Sequence, residues 1–222
     1  MSKKALRGRR TRPLRRYSPR ILVVGEGKRT EYNYFATFAP HCKRANGPAI
    51  VPRQPRQTGS PVTIVREAIR IREDDKDFDA RQGDRCYCLL DVEPHDTEKA
   101  PLLNEALELA EQTGIHILLS NPSFEFWLLC HVKNANSLKS SLADPQAADK
   151  ALRRILGVGK RELNAGESRF GKLVERARTA ASAAREIHCQ HHAAVPDVRS
   201  ANPCTTVYLL VEYLLGASET PP

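Results

Sequence analysis

Acidic side chains follow three short apolar runs, at the points where buried strands would end. Six acids share this position: Glu26 and Glu31 after the first run, Asp91, Glu93 and Asp96 after the second, and Glu125 after the third. The binding crevice of an open parallel sheet lies at the carboxyl ends of its strands, so these side chains are expected to meet there. Clustered carboxylate oxygens suit Mg²⁺ or Mn²⁺, which take hard oxygen ligands and serve phosphate chemistry. The pattern therefore predicts a divalent-metal site.

Each acid taken alone also has an ordinary structural explanation. Glu26 could be the acid that favours the first turn of a helix, and Asp91 could be a solvated loop residue after a strand. The site interpretation is preferred because acids recur at all three strand ends. A phosphate-binding loop is excluded, since G-x-x-x-x-G-K-[ST] would need glycine at Leu22 and Ser or Thr at Arg29.

The elements that must position these acids follow from the apolar spacing. Short apolar runs predict strands at 21–24, 49–51, 86–90 and 115–119. Amphipathic spacing predicts helices between them: from Thr30 to a stop before Pro40, from Ser60 to 73–79, and across 103–110 up to Gly114. This alternation of strand and helix is typical of an α/β fold with a mainly parallel sheet flanked by helices.

From Pro122 onward the pattern predicts a helical C-terminal addition. The predicted elements are a buried helix at 124–130, a short helix at 145–157, one long helix across 170–184, a loop at 188–202 and a last helix capped by Asn202 and Pro203. The predicted organisation is therefore a basic flexible arm (1–20), an α/β core (21–135) and a helical region packing on that core (136–216).

The net charge of +9 is concentrated in the first 20 residues. That segment contains no acid and nine cations: Lys3, Lys4, Arg7, Arg9, Arg10, Arg12, Arg15, Arg16 and Arg20. The remaining 26 basic residues balance the 26 acidic ones. Such an arm predicts contact with the phosphates of a nucleic acid, and a solvated tail that aids solubility is the alternative.

The remaining composition excludes several other classes of protein. No window approaches the roughly 18 apolar residues of a membrane-spanning helix, and no apolar stretch typical of a signal peptide follows the basic N-terminus. A cytoplasmic location is therefore expected, with the six cysteines as thiols and with Cys86 and Cys88 buried in a strand. The cluster from His188 to His192 lacks a convincing zinc spacing.

Four separated segments resemble motifs of the RloB-like family. The stretch from Val24 to Phe35 is similar to the family's C-E-G-x-x-T-E-x-x-Y-F start, with Gly25 at the position of the cysteine. The other three are the acidic segment 91–95, the stretch 120–129, similar to S-N-P-x-F-E-x-W-L-L, and the segment 202–207, similar to N-P-x-T-x-V. Together they span residues 21 to about 215.

The resemblance implies a Toprim-like core and an anti-phage defence protein of the abortive-infection type. Toprim domains use a Glu after the first strand as general acid or base and a later D-x-D pair for Mg²⁺. Carried over, Glu26, Asp91 and Glu93 would be catalytic and would bind metal, with Glu93 at the position of the second Asp. The remaining expected site residues are Asp96 and Glu31 as further metal ligands, Glu125, Asn121 and His95 in support, and Lys28 and Arg29 against phosphate charge.

The expected function is therefore metal-dependent cleavage of RNA or DNA phosphodiesters. The alternative is a non-catalytic nucleic-acid-binding or sensor subunit that gates a neighbouring defence effector. Either function implies nucleic acid as a partner and is compatible with partner proteins of a defence system and with an oligomer.

Overall fold

The sheet is five-stranded, mostly parallel, and ordered β2-β1-β3-β4-β5. The computed structural model describes residues 17–27, 29–44, 47–92, 99–133, 135–138, 144–157, 170–192, 199–216 and 221–222. The strands are β1 (Arg20–Gly25), β2 (Ala49–Arg53), β3 (Arg85–Asp91), β4 (His116–Asn121) and β5 (Cys204–Thr205). Strands β1 to β4 are mutually parallel and β5 is antiparallel to β4. This confirms the predicted α/β class and is consistent with a Toprim-like fold.

Helices cover both faces of the sheet. They are α1 (Thr30–Arg44), α2 (Pro61–Asp74), α3 (Lys99–Thr113), α4 (Phe124–Cys130), α5 (Ala135–Leu138), α6 (Pro145–Leu156), α7 (Gly171–Val174), α8 (Ala177–His192) and α9 (Val207–Leu214). Several ends follow from local sequence, as predicted. The Ser60 hydroxyl accepts the Thr63 N–H at the start of α2 (3.3 Å), and Gly114 takes a positive φ of 68° after α3.

The alternation of side chains along the strands divides the core into two layers. One layer contains Leu22, Val24, Cys86, Cys88 and Leu90, packed with α2 and α3. The opposite layer contains Ile21, Val23, Tyr87 and Leu89, packed with α1, α4 and the C-terminal helices. Because β1 and β3 are apolar on both sides, they occupy the centre of the sheet.

A buried polar contact fixes α1 against α4 in the second layer. The ring of His131 is fully buried, and its Nδ1 lies 3.1 Å from the carbonyl oxygen of Trp127. A carbonyl can only accept, so Nδ1 carries the proton and Nε2 accepts from the Tyr34 hydroxyl at 3.0 Å. Burial lowers the pKa of His131 to about 4, so this histidine is neutral. The pair orients the helix that carries Glu31.

Helix α1 continues past Pro40, so the predicted stop before this proline is wrong. Proline removes one helical hydrogen bond, but Pro40 is exposed. Phe38 and Cys42 on either side of it are fully buried. Their burial offsets the missing hydrogen bond and carries the helix to Arg44.

The C-terminal region departs from prediction in three places. The single long helix predicted across 170–184 is two helices, because the chain turns at Glu175 and Arg176 between α7 and α8. Helix α8 extends to His192, into the predicted loop. The chain at 202–206 does not cap α9 directly, because β5 intervenes and pairs Thr205 with Ser120. A strand of two residues has no sequence periodicity by which it could be recognised.

The cysteines and the helices agree with the predicted thiols and with the predicted lack of a membrane-spanning helix among the described residues. All six cysteines are free, and Cys86 and Cys88 are buried as predicted. Among the helices that the structure describes, none is long and apolar enough to cross a membrane.

Candidate functional site

The order of the strands creates a crevice between β1 and β3. From β1 the chain crosses to β2 on one side, and from β2 it returns over β1 to β3 on the other. Ligands of open α/β sheets bind at the carboxyl edge where the strand order reverses in this way. Glu26 follows the last residue of β1, and Asp91 is the last residue of β3. Both acids therefore lie at the switch point.

Hydrogen bonds link the three strand ends. Glu26 Oε2 accepts the backbone N–H of Asp91 at 3.0 Å. Asp91 Oδ1 in turn accepts the backbone N–H of Phe124, the first residue of α4, also at 3.0 Å. The ends of β1 and β3 and the start of α4 are thus held together, as expected for Glu26 and Asp91.

Glu125 lies in the first turn of α4, directly beside this chain of contacts. Its Oε2 accepts the Ser123 hydroxyl at 2.7 Å. Asn121, the last residue of β4, is buried and donates from Nδ2 to the Arg199 carbonyl at 3.1 Å. The third strand end therefore contributes an oriented carboxylate and a buried amide to the same edge.

Glu31 is the most buried acid of the site, with 5% of its surface exposed. Its Oε1 accepts the backbone N–H of Gly27 at 2.9 Å, which fastens the loop that carries Glu26. Its Oε2 is buried and makes no hydrogen bond with any residue that the structure describes. A Cβ on Gly25 would lie 2.5 Å from Glu31 Cβ, and one on Gly27 would lie 2.6 Å from Oε2. The two glycines let the loop close over this carboxylate.

The environment of Glu31 favours its neutral form. Burial is the main reason that its pKa is raised to about 7, and the nearby carboxylates of Glu125 and Glu26 act in the same direction. Backbone N–H groups of Glu31 itself and of Gly27 oppose this rise. Because the carboxylates of Glu125 and Glu26 both act on Glu31, the three side chains belong to one electrostatic cluster. A cation beside Oε2 would reverse this shift.

The donor chemistry of the cluster fits a hard divalent cation. Its side chains offer carboxylate oxygens, and Glu31 Oε2 is a buried acceptor that receives no donor from the described part of the chain. Within the described ranges, no group of three or more His, Cys, Asp or Glu side chains is arranged around one metal position. Two of the predicted ligands, Glu93 and Asp96, lie outside the described residues, as do His95 and Lys28.

Of the basic residues predicted to contact phosphate, some lie within the described residues and others lie outside them. Arg29 is exposed in the loop before α1. The arm cations Arg7, Arg9, Arg10, Arg12, Arg15 and Arg16 lie outside the described residues. Arg20 belongs to β1, so the strand begins one residue before the predicted boundary of the arm.

Sequence reasoning missed two contributors to this site. Ser123 orients Glu125, and Gly27 both donates to Glu31 and leaves room for it. The glycines on either side of Glu26 were the available signal, because Gly-x-Gly around an acid at a strand end indicates close approach of the backbone to another group. Ser123 is the N-cap residue of α4 and lies two residues before Glu125, so a serine directly before a helix with an acid in its first turn was the available signal.

The fold and the site together define an α/β protein with its acidic crevice at the switch point of a mainly parallel sheet. The chain belongs to the RloB-like family, whose model, described as "RloB-like protein", matches residues 21–214. The match covers the five strands except for Arg20, the first residue of β1, and includes both sides of the crevice. Searches of the curated proteins and of the solved structures found no significant match.

Proposed function

We propose that this protein is a metal-dependent nuclease that cleaves RNA or DNA phosphodiesters in anti-phage defence. The observation that carries the proposal is the hydrogen bond from the Asp91 backbone to Glu26, since it joins two strand-end acids at the switch point. Membership of the RloB-like family suggests a defence-associated role.

Asp91 and Glu26 would hold the metal, with Oε2 of Glu31 as a further oxygen ligand and with Glu93 and Asp96 from the neighbouring segment. A bound Mg²⁺ or Mn²⁺ would neutralise charge on the scissile phosphate and orient the reacting oxygens. Carboxylates that are already fixed by backbone N–H groups lose little freedom when a cation binds.

The chain's own groups would then divide the remaining work. Glu26 would exchange a proton with the attacking or leaving oxygen, because its carboxylate is oriented by the Asp91 N–H. Arg29 is exposed in the loop that follows Glu26 and would offset phosphate charge together with Lys28. The bond from Gly27 to Glu31 would keep the Glu26 loop in place during this exchange.

The decisive experiment is cleavage of labelled RNA and DNA by the purified protein in Mg²⁺, in Mn²⁺ and in EDTA. The Glu26→Gln variant removes the charge but still offers a side-chain oxygen that can accept the Asp91 N–H. The matched control is Glu175→Gln, which changes the same charge at an exposed position between α7 and α8. We expect metal-dependent cleavage that is lost in Glu26→Gln and retained in Glu175→Gln.

Binding of nucleic acid without cleavage in any metal would contradict the proposal and favour the sensor alternative. Equal cleavage by wild type and Glu26→Gln would likewise contradict it, because the nuclease would then be a contaminant or would act at another site.

A further inference from the structure

A second charged feature lies at the outer edge of the sheet, away from the acidic crevice. It is a groove of about 360 Å³ between the end of β2 and the C-terminal half of α2. Its charged lining residues are Arg53, Arg56, Arg70, Asp74, Asp75 and Lys76. The groove is therefore mixed in charge by composition, and its character depends on which of these charges are already paired.

Both acids of the groove are neutralised within the fold. Asp74 receives Arg70 at 2.7 Å, and Asp75 receives Arg20 at 2.9 Å from the start of β1. The Arg20 contact also lowers the pKa of Asp75 against its burial. The acids of the groove are thus committed to structural ion pairs.

Three cations remain available to a ligand. Among the described residues, Arg56 and Lys76 form no ion pair, and both are exposed. Arg53 has 43% of its side chain exposed, and its ion pair with Asp75 is long at 3.4 Å. We call Arg53, Arg56 and Lys76 the groove cations.

The backbone that carries Arg53 at the end of β2 and Arg56 in the following loop is held in place by hydrogen bonds. Glu67 Oε2 accepts the backbone N–H of Arg56 at 2.7 Å, and the same carboxylate receives Arg70 at 3.0 Å. Pro55 is buried beside this contact. The cations are therefore presented from a defined backbone, which reduces the entropy lost on binding.

The groove lies between the crevice and the root of the basic arm. At one end, Arg53 pairs in register with Val24, two residues before Glu26. At the other end, Asp75 holds Arg20, three residues after the point where the described chain begins. The described chain begins at Tyr17, close to this end of the groove, and eight further Lys and Arg residues precede it in the sequence at 1–16.

We propose that the groove binds the phosphate backbone of a nucleic-acid strand and guides it between the arm and the acidic crevice. The inference rests on the proposed function for the identity of the strand. Cations spaced along a groove neutralise successive phosphates and read no base, so binding here is independent of sequence. The groove thereby gives the crevice a substrate path along α2.

The test compares two triple variants that remove the same charge. The groove variant is Arg53→Gln, Arg56→Gln and Lys76→Gln. The control is Lys150→Gln, Arg154→Gln and Lys172→Gln, three exposed cations of α6 and α7 that form no ion pair among the described residues. Binding of a fluorescein-labelled single-stranded DNA, and of the RNA of the same sequence, is measured by anisotropy over a salt series with full-length protein.

We expect the groove variant to bind more weakly and with a flatter salt dependence. Each phosphate contact on a single strand makes the slope of log K against log salt steeper by about 0.7. Loss of three contacts should therefore lower the binding constant about 50-fold at about 0.15 M salt. The control should change the affinity by less than about threefold. Thermal unfolding of both variants establishes that they are folded.

Equal loss of affinity in the two variants would overturn the groove as a site, since net charge alone would then explain binding. Wild-type cleavage with unchanged binding in the groove variant would overturn the groove and leave the nuclease proposal intact. A wild-type protein that neither binds nor cleaves would overturn both.

Discussion

Asp84, at the amino edge of the sheet, and Glu31, at the carboxyl edge, are both buried acids with very different surroundings. Asp84 accepts the Tyr17 hydroxyl at 2.7 Å and the backbone N–H groups of Arg20 and Asp79 at 2.8 and 2.9 Å. Glu31 accepts the Gly27 N–H, and its second oxygen makes no hydrogen bond within the described ranges. Both oxygens of Asp84 therefore accept hydrogen bonds, whereas only one oxygen of Glu31 accepts one from the described residues.

The same contrast extends to the neighbouring acids. Asp75 and Glu67 are held by arginines, and these contacts lower the pKa of both carboxyls. Glu31 forms no ion pair among the described residues, and its pKa is raised. Buried carboxylates that serve the fold are paired, because an unpaired buried charge is costly. Glu31 has no such partner among the described residues and instead tends to keep its proton, and the metal that we propose would supply the missing partner.

The largest effect that this contrast predicts is on activity in Asp91→Asn. Asparagine keeps the oxygen that accepts the Phe124 N–H, so the fold should be retained while the ligand charge is removed. Loss of a metal ligand should lower the cleavage rate by about 1000-fold, equal to about 4 kcal/mol. Cleavage and the rise in Tm on adding Mg²⁺ are measured in the same preparation.

Asp144→Asn is the control for Asp91→Asn, because it makes the same change at the N-cap of α6, far along the chain from the crevice. A drop in metal-free stability of more than about 1 kcal/mol in Asp91→Asn would identify Asp91 as a structural acceptor like Asp84.

The next effect is on the pH dependence of stability in Glu31→Gln. The folded pKa of about 7 lies above the ordinary glutamate value of 4.5, so the folded state binds the proton more tightly. Wild-type stability should therefore fall as pH rises from about 4.5 to about 7. Without metal, Glu31→Gln should be more stable than wild type by up to about 3 kcal/mol at about pH 8 and equal to it at about pH 4.5.

Glu67→Gln provides the comparison of opposite sign. The Arg70 contact lowers the folded pKa of Glu67, so its contribution to stability is present above the unfolded pKa and is lost as pH falls. This variant should be less stable than wild type at neutral pH. Denaturant unfolding in EDTA across the pH series measures both variants. A pH-independent difference for Glu31→Gln would show that its carboxyl is not titrating in this range.

A smaller and purely structural effect is expected for Asp84→Asn. The amide nitrogen of asparagine is a donor, so it would face one of the donors that now point at the carboxylate. An unsatisfied pair of this kind should cost about 2 kcal/mol of unfolding free energy. Cleavage measured well below the unfolding temperature should be unchanged. Loss of cleavage without loss of stability would contradict the assignment of Asp84 to a purely structural role.

The sequence made the carboxyl edge predictable because its acids follow apolar runs. Glu26 and Asp91 were expected together, since strand ends of a parallel sheet meet at one edge. The burial of Glu31 could not be predicted, because it depends on how closely the 25–27 loop approaches α1. The pairing of Asp75 with Arg20 joins residues 55 positions apart and leaves no local pattern.

The errors in the fold have the same origin. Pro40 is a reliable helix breaker by local propensity, but burial of Phe38 and Cys42 overrides it. The apolar spacing runs without interruption from Phe170 into α8, so periodicity could not reveal the turn at 175–176. Local spacing therefore predicted where elements exist and where several of them end, and tertiary contacts decided the ends that it predicted wrongly.

The smallest predicted effect tests how tightly the Glu26 loop is fitted around Glu31. In Gly27→Ala the new Cβ would lie 2.6 Å from Glu31 Oε2, so the carboxylate must shift and weaken its bond to the Gly27 N–H. Because the displaced atom is the end of a flexible side chain, the cost should be only about 1 kcal/mol. The control Gly171→Ala meets no atom within 4 Å and lies in α7, where alanine should be neutral or stabilising. Tm and the Mg²⁺ concentration for half-maximal cleavage are measured in both variants. A destabilised Gly27→Ala that needs no more Mg²⁺ than wild type would mean that the position of Glu31 matters to the fold and not to the metal.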